Sequence, residues 1–325
     1  MRITIWACLS MTFCTSLWAA TASSAQLDFY PRKPVRLIVG FPPAAATDLI
    51  ARALAQKLAE QMKNPVIVEN RPGAGGNIAY DIGAKAVADG HTLIFNTGGL
   101  VQNYALYTKL SYHPLRDFIP VSMVSKSPQM IVANTSIPFG TIAEFVAYAK
   151  ANPGKLSYGS AGSGNATHLA SLLFQQAVGI NTLHVPYSGS GPALIALLGG
   201  HVQFSTPTVA TALPFLTDHR LKALVVMSLK RSPALPDVPT THETVAPNLE
   251  VISWAGVLVQ ANTPPAVVKR INAEIRTALG DEKLNSRLAL GAEILSSSPE
   301  EYGALIRGEL ERWTRIIKEA KLSLN

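Results

Sequence analysis

The feature that most constrains the fold is an alternation that occurs twice: a short apolar run, a loop of small residues, then an amphipathic stretch of helix length. In the first series VRLIVG (35–40), VIVEN (66–70) and HTLIFNT (91–97) read as buried strands. Between them lie a helix carrying Ile50, Leu54 and Leu58 on one face, a turn at RPGAGG, and a helix over 77–88. Thr47 or Asp48 is the expected cap of the first helix. The second series runs through a short strand ending at Gly159, TLHVPY (182–187), VQFST (202–206) and LKALVVMS (221–228), with helices over 165–178, 189–198 and 210–216. Repeated β-then-α order predicts an α/β chain with mainly parallel sheets and helices on both faces, in two units.

The segment VSMVSKSPQMIVAN after Pro120 reads as extended chain crossing between the units, and Thr141-Ile-Ala-Glu144 as a capping box opening a helix to about Ala151. SWAGVLVQ (253–260) is a further strand. Thr263-Pro264 predicts an N-cap followed by a first-turn proline, and Ser298-Pro-Glu-Glu301 predicts a capping box. The last helix presents Tyr302, Leu305, Ile306, Trp313, Ile316 and Ile317 on one face, so it needs a unit to cover it. If it returns to the first unit, two crossovers, near 120–128 and 245–256, form a hinge.

Residues 1–25 are set apart from this pattern. Arg2, the apolar stretch Ile3–Ala20 and Ser23-Ser24-Ala25 make a secretory leader with cleavage expected after Ala25. Phe13 before Cys14 argues against a lipoprotein site, and no later run is long and apolar enough to span a bilayer. Both cysteines lie in the leader, which removes disulfides, zinc-thiolate sites and a cysteine nucleophile from the mature chain. The formal charge of +7 becomes +6 without Arg2, the leader's one charged residue. That modest excess suits a protein receiving anions, and the absence of Lys/Arg runs with interleaved aromatics speaks against nucleic acid.

The stretch SYGSAGSGNATH (157–168) carries the most chemistry. Gly162 and Gly164 allow close backbone approach, and the helix that follows begins with unpartnered N–H groups where a carboxylate or phosphate fits. Ser160, Ser163, Asn165, Thr167 and His168 add neutral side chains, and no P-loop lysine follows. The alternative is a plain strand-to-helix connector, with His168 a packed histidine. Loops in equivalent places add candidates: Phe41, Ala45, Thr47 and Asp48 after the first strand, Asn96 and Thr97 at the end of the third, Tyr187 and Ser188 at the end of TLHVPY, and Thr206 at the end of VQFST. Asp48 is either a helix cap or an acceptor for a ligand ammonium or hydroxyl. No nucleophile elbow, HExxH or complete GxGxxG is present, and no close histidine pair occurs at helical ligand spacing, so neither catalysis nor a metal or other cofactor is expected.

YPRKPVRLIVGFPP (30–43), VIVENRPGAGGNI (66–78), YGSAGSGNATHLA (158–170), HVPYSGSGPAL (184–194), LPDVPTTHE (235–243) and NTPPAVVKRINAEI (262–275) resemble the Bug-type, or TctC-type, extracytoplasmic receptors of tripartite tricarboxylate transporters. The resemblance covers essentially the whole mature chain. It implies a type II periplasmic binding protein fold: domain 1 over 26–124 plus 253–325, domain 2 over 125–252, and a two-crossover hinge around a ligand cleft. It implies a periplasmic monomer holding a small mono-, di- or tricarboxylate, largely through backbone N–H groups, and passing it to a membrane transporter. A ligand sensor feeding a signalling system, or a secreted enzyme using the same cleft, are the alternatives. Ala44-Ala45-Ala46 stand where the family has glycines, and Thr206-Pro207-Thr208 where it commonly places an acidic residue. The second departure favours a carboxylate without an amino group.

The leader reading gives the first test. Mass analysis of the exported protein will show an N-terminus at Gln26, whereas a retained leader or a lipid on Cys14 would contradict it.

Overall fold

The computed structural model describes residues 30–43, 45–288 and 291–319. The leader, its cleavage site and Ala44 lie outside the described residues. The elements are β1 (Val35–Val39), α1 (Ala46–Met62), β2 (Val66–Asn70), α2 (Asn77–Ala84), β3 (Thr92–Thr97), α3 (Gly99–Leu106), β4 (Phe118–Pro128), β5 (Met130–Asn134) and α4 (Ile142–Ala151). Then come β6 (Ser157–Ser160), α5 (Ala166–Val178), β7 (Leu183–Pro186), α6 (Ser190–Leu198), β8 (Phe204–Ser205), α7 (Val209–Thr217) and β9 (Leu221–Val226). The chain continues through β10 (Ile252–Gln260), α8 (Pro265–Leu279), α9 (Glu282–Leu288), β11 (Glu293–Ile294) and α10 (Pro299–Glu319).

Two sheets form, a larger one in the order β11-β4-β10-β3-β1-β2 and a smaller one in the order β7-β6-β8-β5-β9. Each contains the same parallel triplet, β2-β1-β3 in one and β7-β6-β8 in the other. In both, the chain winds to one side of the first strand and then to the other. The loops after β1 and β3, and after β6 and β8, therefore flank a topological switch point, where open α/β sheets bind ligands. The sheets are mixed rather than mainly parallel as expected. β10 runs antiparallel to β3 and β4, and β5 antiparallel to β8 and β9, because the crossing strands enter each sheet from the other unit.

The crossing itself is nearly straight: β4 leaves the larger sheet at Pro128 and β5 enters the smaller at Met130. Between them Gln129 donates its N–H to Val251 O at 2.8 Å and accepts from Met227 N–H at 2.8 Å, while Val251 N–H reaches Met227 O at 3.0 Å. The outgoing and returning segments are thus laced at one level, and Gln129 Nε2 adds a 2.9 Å bond to Ser253 Oγ.

Local chemistry explains where the elements begin and end. α1 buries Ala51, Leu54, Ala55 and Leu58 at helical spacing. Its N-cap is Ala45, without a side-chain cap bond, which corrects the assignment of Thr47 or Asp48 as the cap. α2 stops at Ala84, short of Ala88, because Asp89 accepts the His91 N–H and sets a turn at Gly90. α8 starts at Pro265 with Pro264 as its N-cap, one residue later than expected from Thr263-Pro264. A residue preceding proline is barred from helical geometry, so only the second proline can be the first helical residue. The strand expected over 202–206 shortens to Phe204–Ser205, and α3, which lacks a cap residue, has no counterpart among the sequence expectations.

Both predicted capping boxes form: Thr141 with Glu144, and Ser298 with Glu301. α10 then buries Tyr302, Ile306, Trp313 and Ile317 and packs on α3 and β4, returning to the first unit. Gly256 of β10 makes this possible. A Cβ there would lie 2.4 Å from Tyr302 Cζ and 2.6 Å from Ser122 O. Gly256→Ala should therefore cost on the order of 2 kcal/mol by overpacking, seen as a lower urea midpoint. An unchanged midpoint would show that α10 seats independently of Gly256.

Candidate functional site

β6 carries Tyr158 and Ser160 beside His184 and Pro186 of β7, and the loop to α5 turns on itself through short bonds. Gly162 and Gly164 have φ of +124° and +74°, so a side chain at either position would be strained. Ala161 N–H donates to Thr167 Oγ1 (2.8 Å), Gly162 N–H to Ser160 Oγ (3.2 Å), Gly164 N–H to His168 Nδ1 (2.9 Å) and Asn165 N–H to Gly162 O (3.2 Å). Asn165 caps α5 by accepting Thr167 N–H at 3.2 Å. Among the described residues no acceptor engages the amides of Ser163, Ala166 and His168. A first turn that keeps open amides in this way carries partial positive charge and accepts a carboxylate without any formal cation.

The side chains behind the loop hold it rather than extend it. Thr206 is fully buried, donating to Thr167 O at 2.5 Å and lying 2.8 Å from Ser171 Oγ, so β8 is tied to α5. His168 is 9 % exposed and stacks on His184 with ring centroids 3.9 Å apart and planes 5° from parallel. Tyr158 lies beside the pair, its ring centroid 4.9 Å from His184 and 6.3 Å from His168. His184 Nε2 lies 2.6 Å from Ser160 Oγ. Burial, with a contribution from His184, pushes the His168 imidazole down to about 4, and burial also lowers His184. Both rings are therefore neutral at pH 7. Tyr187 donates its N–H to Ser160 O at 2.9 Å, and Ser188 is exposed on the rim.

In the first unit the loop after β1 is anchored by a buried network. Asp48 is 1 % exposed; its Oδ1 accepts Asn70 Nδ2 at 2.7 Å and its Oδ2 accepts Arg52 Nε at 2.9 Å. Asn70 also reaches Phe41 O at 3.0 Å. The Asp48 carboxylate thus fixes the loop to the end of β2 and is buried away from solvent. Asn96 is fully buried and accepts the Tyr302 hydroxyl at 2.8 Å. Thr97 is partly exposed and accepts Gly99 N–H at 3.2 Å. α1, α2 and α3 follow Ala45, Gly76 and Gly98, none of which supplies a side-chain cap; Asn77 N–H is taken by Ala74 O and Gly99 N–H by Thr97 Oγ1. The helices with capping boxes, α4 and α10, start elsewhere.

Of the residues singled out from sequence, the structure gathers Ser160, Gly162, Ser163, Gly164, Asn165, Thr167, His168, Tyr187 and Thr206 into one cluster, with Ser188 beside it. Phe41, Ala45, Thr47 and Asp48 form a second set at the end of β1, and Asn96 and Thr97 a third at the end of β3. His184, Asn70, Arg52 and Tyr80 were not singled out. His184 lies sixteen residues from His168, and only the parallel register of β6 and β7 brings the rings together. An open depression of about 600 Å³ lies apart from these sets, near Lys33, Arg36, Asp81, Lys85 and Asp89. There Lys33 pairs with Asp89 at 2.9 Å and Lys85 with Asp81 at 2.6 Å, so its charges are already compensated. No metal-holding group of His, Cys, Asp or Glu occurs among the described residues.

This frame has relatives. The profile described as "Tripartite tricarboxylate transporter family receptor" (TctC) matches residues 50–322. A protein of the tcbD-tcbE intergenic region of Pseudomonas sp. strain P51 is 39% identical over 94% of this chain and 93% of its own length. Among solved structures, R. palustris Rpa4515 with adipate is 32% identical, covering 90% of this chain and 99% of its own, with a TM-score of 0.84. The periplasmic binding protein BugD is 34% identical over 90% of this chain and 99% of its own, with a TM-score of 0.81. The two α/β units joined at Gln129 are the two lobes of a periplasmic binding protein fold, and the chain belongs to the TctC family, the receptors of tripartite tricarboxylate transporters, as a Bug-type member.

Proposed function

We propose that this chain is an exported receptor that closes its two lobes on a small organic carboxylate and delivers it to a membrane transporter. The observation that carries the reading is the β6–α5 loop, which offers three uncommitted amides at a helix start among neutral side chains. A carboxylate is the ligand such a set stabilises best, since each N–H···O⁻ bond is charge-assisted. Adipate in the R. palustris relative is a ligand of that class. Thr206 bonds within its own lobe and Asp48 is committed to Arg52 and Asn70, so neither favours a ligand ammonium. The ligand is accordingly a carboxylate without an amino group.

The proposed contacts are Ser160, Gly162–Asn165, Thr167, His168, Tyr187, Ser188 and Thr206 from one lobe, and Phe41, Ala45, Thr47, Asp48, Asn96 and Thr97 from the other. Thr206 acts through Thr167 O, Asp48 through Asn70 and Arg52, and Asn96 through the Tyr302 hydroxyl. The proposed lobes are 26–124 plus 253–325, and 125–252, acting as a periplasmic monomer once the leader is removed. Closure is a shift toward the state in which both lobes touch the ligand. The chemistry at this site is binding, not turnover.

Gly162→Val tests the reading, because the new side chain would be strained at φ +124° and its Cβ would lie 3.4 Å from Tyr187 O. Affinity for a carboxylate that binds the wild type, adipate being the first to try, should fall by about 2 kcal/mol or more. Ser188→Ala should cost less. The amide analogue should bind the wild type poorly, and the Gly162 variant should discriminate less between acid and amide. Calorimetry on folded Gly162→Val showing unchanged affinity and unchanged preference would move the site to the Phe41–Asp48 loop.

A further inference from the structure

His168 is tied to the loop by an interaction that only one of its protonation states can make. Its Nδ1 accepts the buried Gly164 N–H at 2.9 Å, so that nitrogen carries no proton and the neutral ring bears its hydrogen on Nε2. Gly164, at φ +74°, is the residue at which the loop turns toward Asn165 and the start of α5. The ring has little room to move away. His184 covers one face at 3.9 Å, Tyr158 lies beside the pair with its ring centroid 4.9 Å from His184 and 6.3 Å from His168, and Ser160 Oγ lies 2.6 Å from His184 Nε2.

We propose that His168 is the positioning residue of the anion loop: neutral, it holds Gly164 N–H and keeps the free amides aimed, and protonated, it releases them, so the site is assembled only while His168 is uncharged. Adding a proton to Nδ1 turns its acceptor into a second donor facing Gly164 N–H, and one of the two must move. Because the ring is clamped against His184, the loop is the part that yields. The titratable groups facing the ring are His184 from β7 and Tyr158 from β6. Among the described residues no carboxylate, lysine or arginine pairs with either imidazole. The inference rests on the carboxylate reading for its functional meaning, while the latch itself is a property of the empty protein.

The sign of the effect follows from the direction of the shift. Burial and the second imidazole hold His168 down to about 4, from its ordinary 6.5. The latch is therefore intact at neutral pH and is lost as pH falls toward the lowered value. Ligand-free protein followed by NMR through this range reports the His168 and His184 ring signals and the Gly164 amide together. The expected result is that the Gly164 protection factor drops by about tenfold or more, with the same midpoint as His168 protonation and before global unfolding. His168→Asn, whose Oδ1 replaces the acceptor but cannot take up the proton, should keep Gly164 protected across the same range.

The latch is overturned if His168 protonates while Gly164 stays protected, if Gly164 opens alike in His168→Asn, or if the whole chain unfolds before Gly164 opens. Should the variant fail to fold, the wild-type titration still decides. No ligand is added, so failure of the latch and failure of the carboxylate reading are separate results.

Discussion

An amide at the first turn of a helix has no carbonyl to bond, and much of this molecule's organisation follows from where such amides are left open. A parallel strand must hand the chain to a crossover, and the shortest handover ends in a helix start at the strand's C-terminal edge. Both lobes repeat this arrangement around a switch point. Of the helices starting there, α1, α2, α3 and α6 carry no side-chain cap at the N-cap residue, α5 is capped on one amide only, and α7 is capped by Thr208. By contrast, α4 and α10 satisfy their first turns internally through capping boxes.

An anion site without a cation needs its donors held still, because neutral dipoles gain little if they must reorganise around each ligand. Thr206, Ser171 and the stacked imidazoles do this behind the β6–α5 loop, and Asp48, Arg52 and Asn70 do it behind the loop after β1. The same carboxylate that sequence offers as a contact serves the structure better as a buried anchor, since half-exposed Arg52 compensates its charge at 2.9 Å. At Gln129 the outgoing and returning segments are bonded to each other between the two sheets.

Much of this was legible in the sequence. The β-then-α alternation fixed the two units and most strands, because a period of apolar residues reports directly on burial. Capping boxes at Thr141 and Ser298 were readable because their spacing states a bond. The misreadings have a common cause. Asp48 looks like a cap, but its partners Asn70 and Arg52 are set by tertiary packing. Helix α3 has neither cap residue nor length, and is held by the chain around it. The imidazole stack depends on strand register, which no local pattern records. Loop residues 160–168 stand out in the sequence because glycine, hydroxyl and helix signals coincide there, whereas the side chains packed behind them are scattered across β7, β8 and α5.

The central claim is that a carboxylate is held by uncommitted amides of the β6–α5 loop. Amide proton shifts on titration with adipate, or another carboxylate found to bind, test it most directly, because a hydrogen bond to a charged oxygen moves its donor downfield. The account predicts the largest downfield shifts at Ser163, Ala166 and His168. Largest shifts instead around Lys33, Arg36 and Lys85, with the loop amides unmoved, would contradict it.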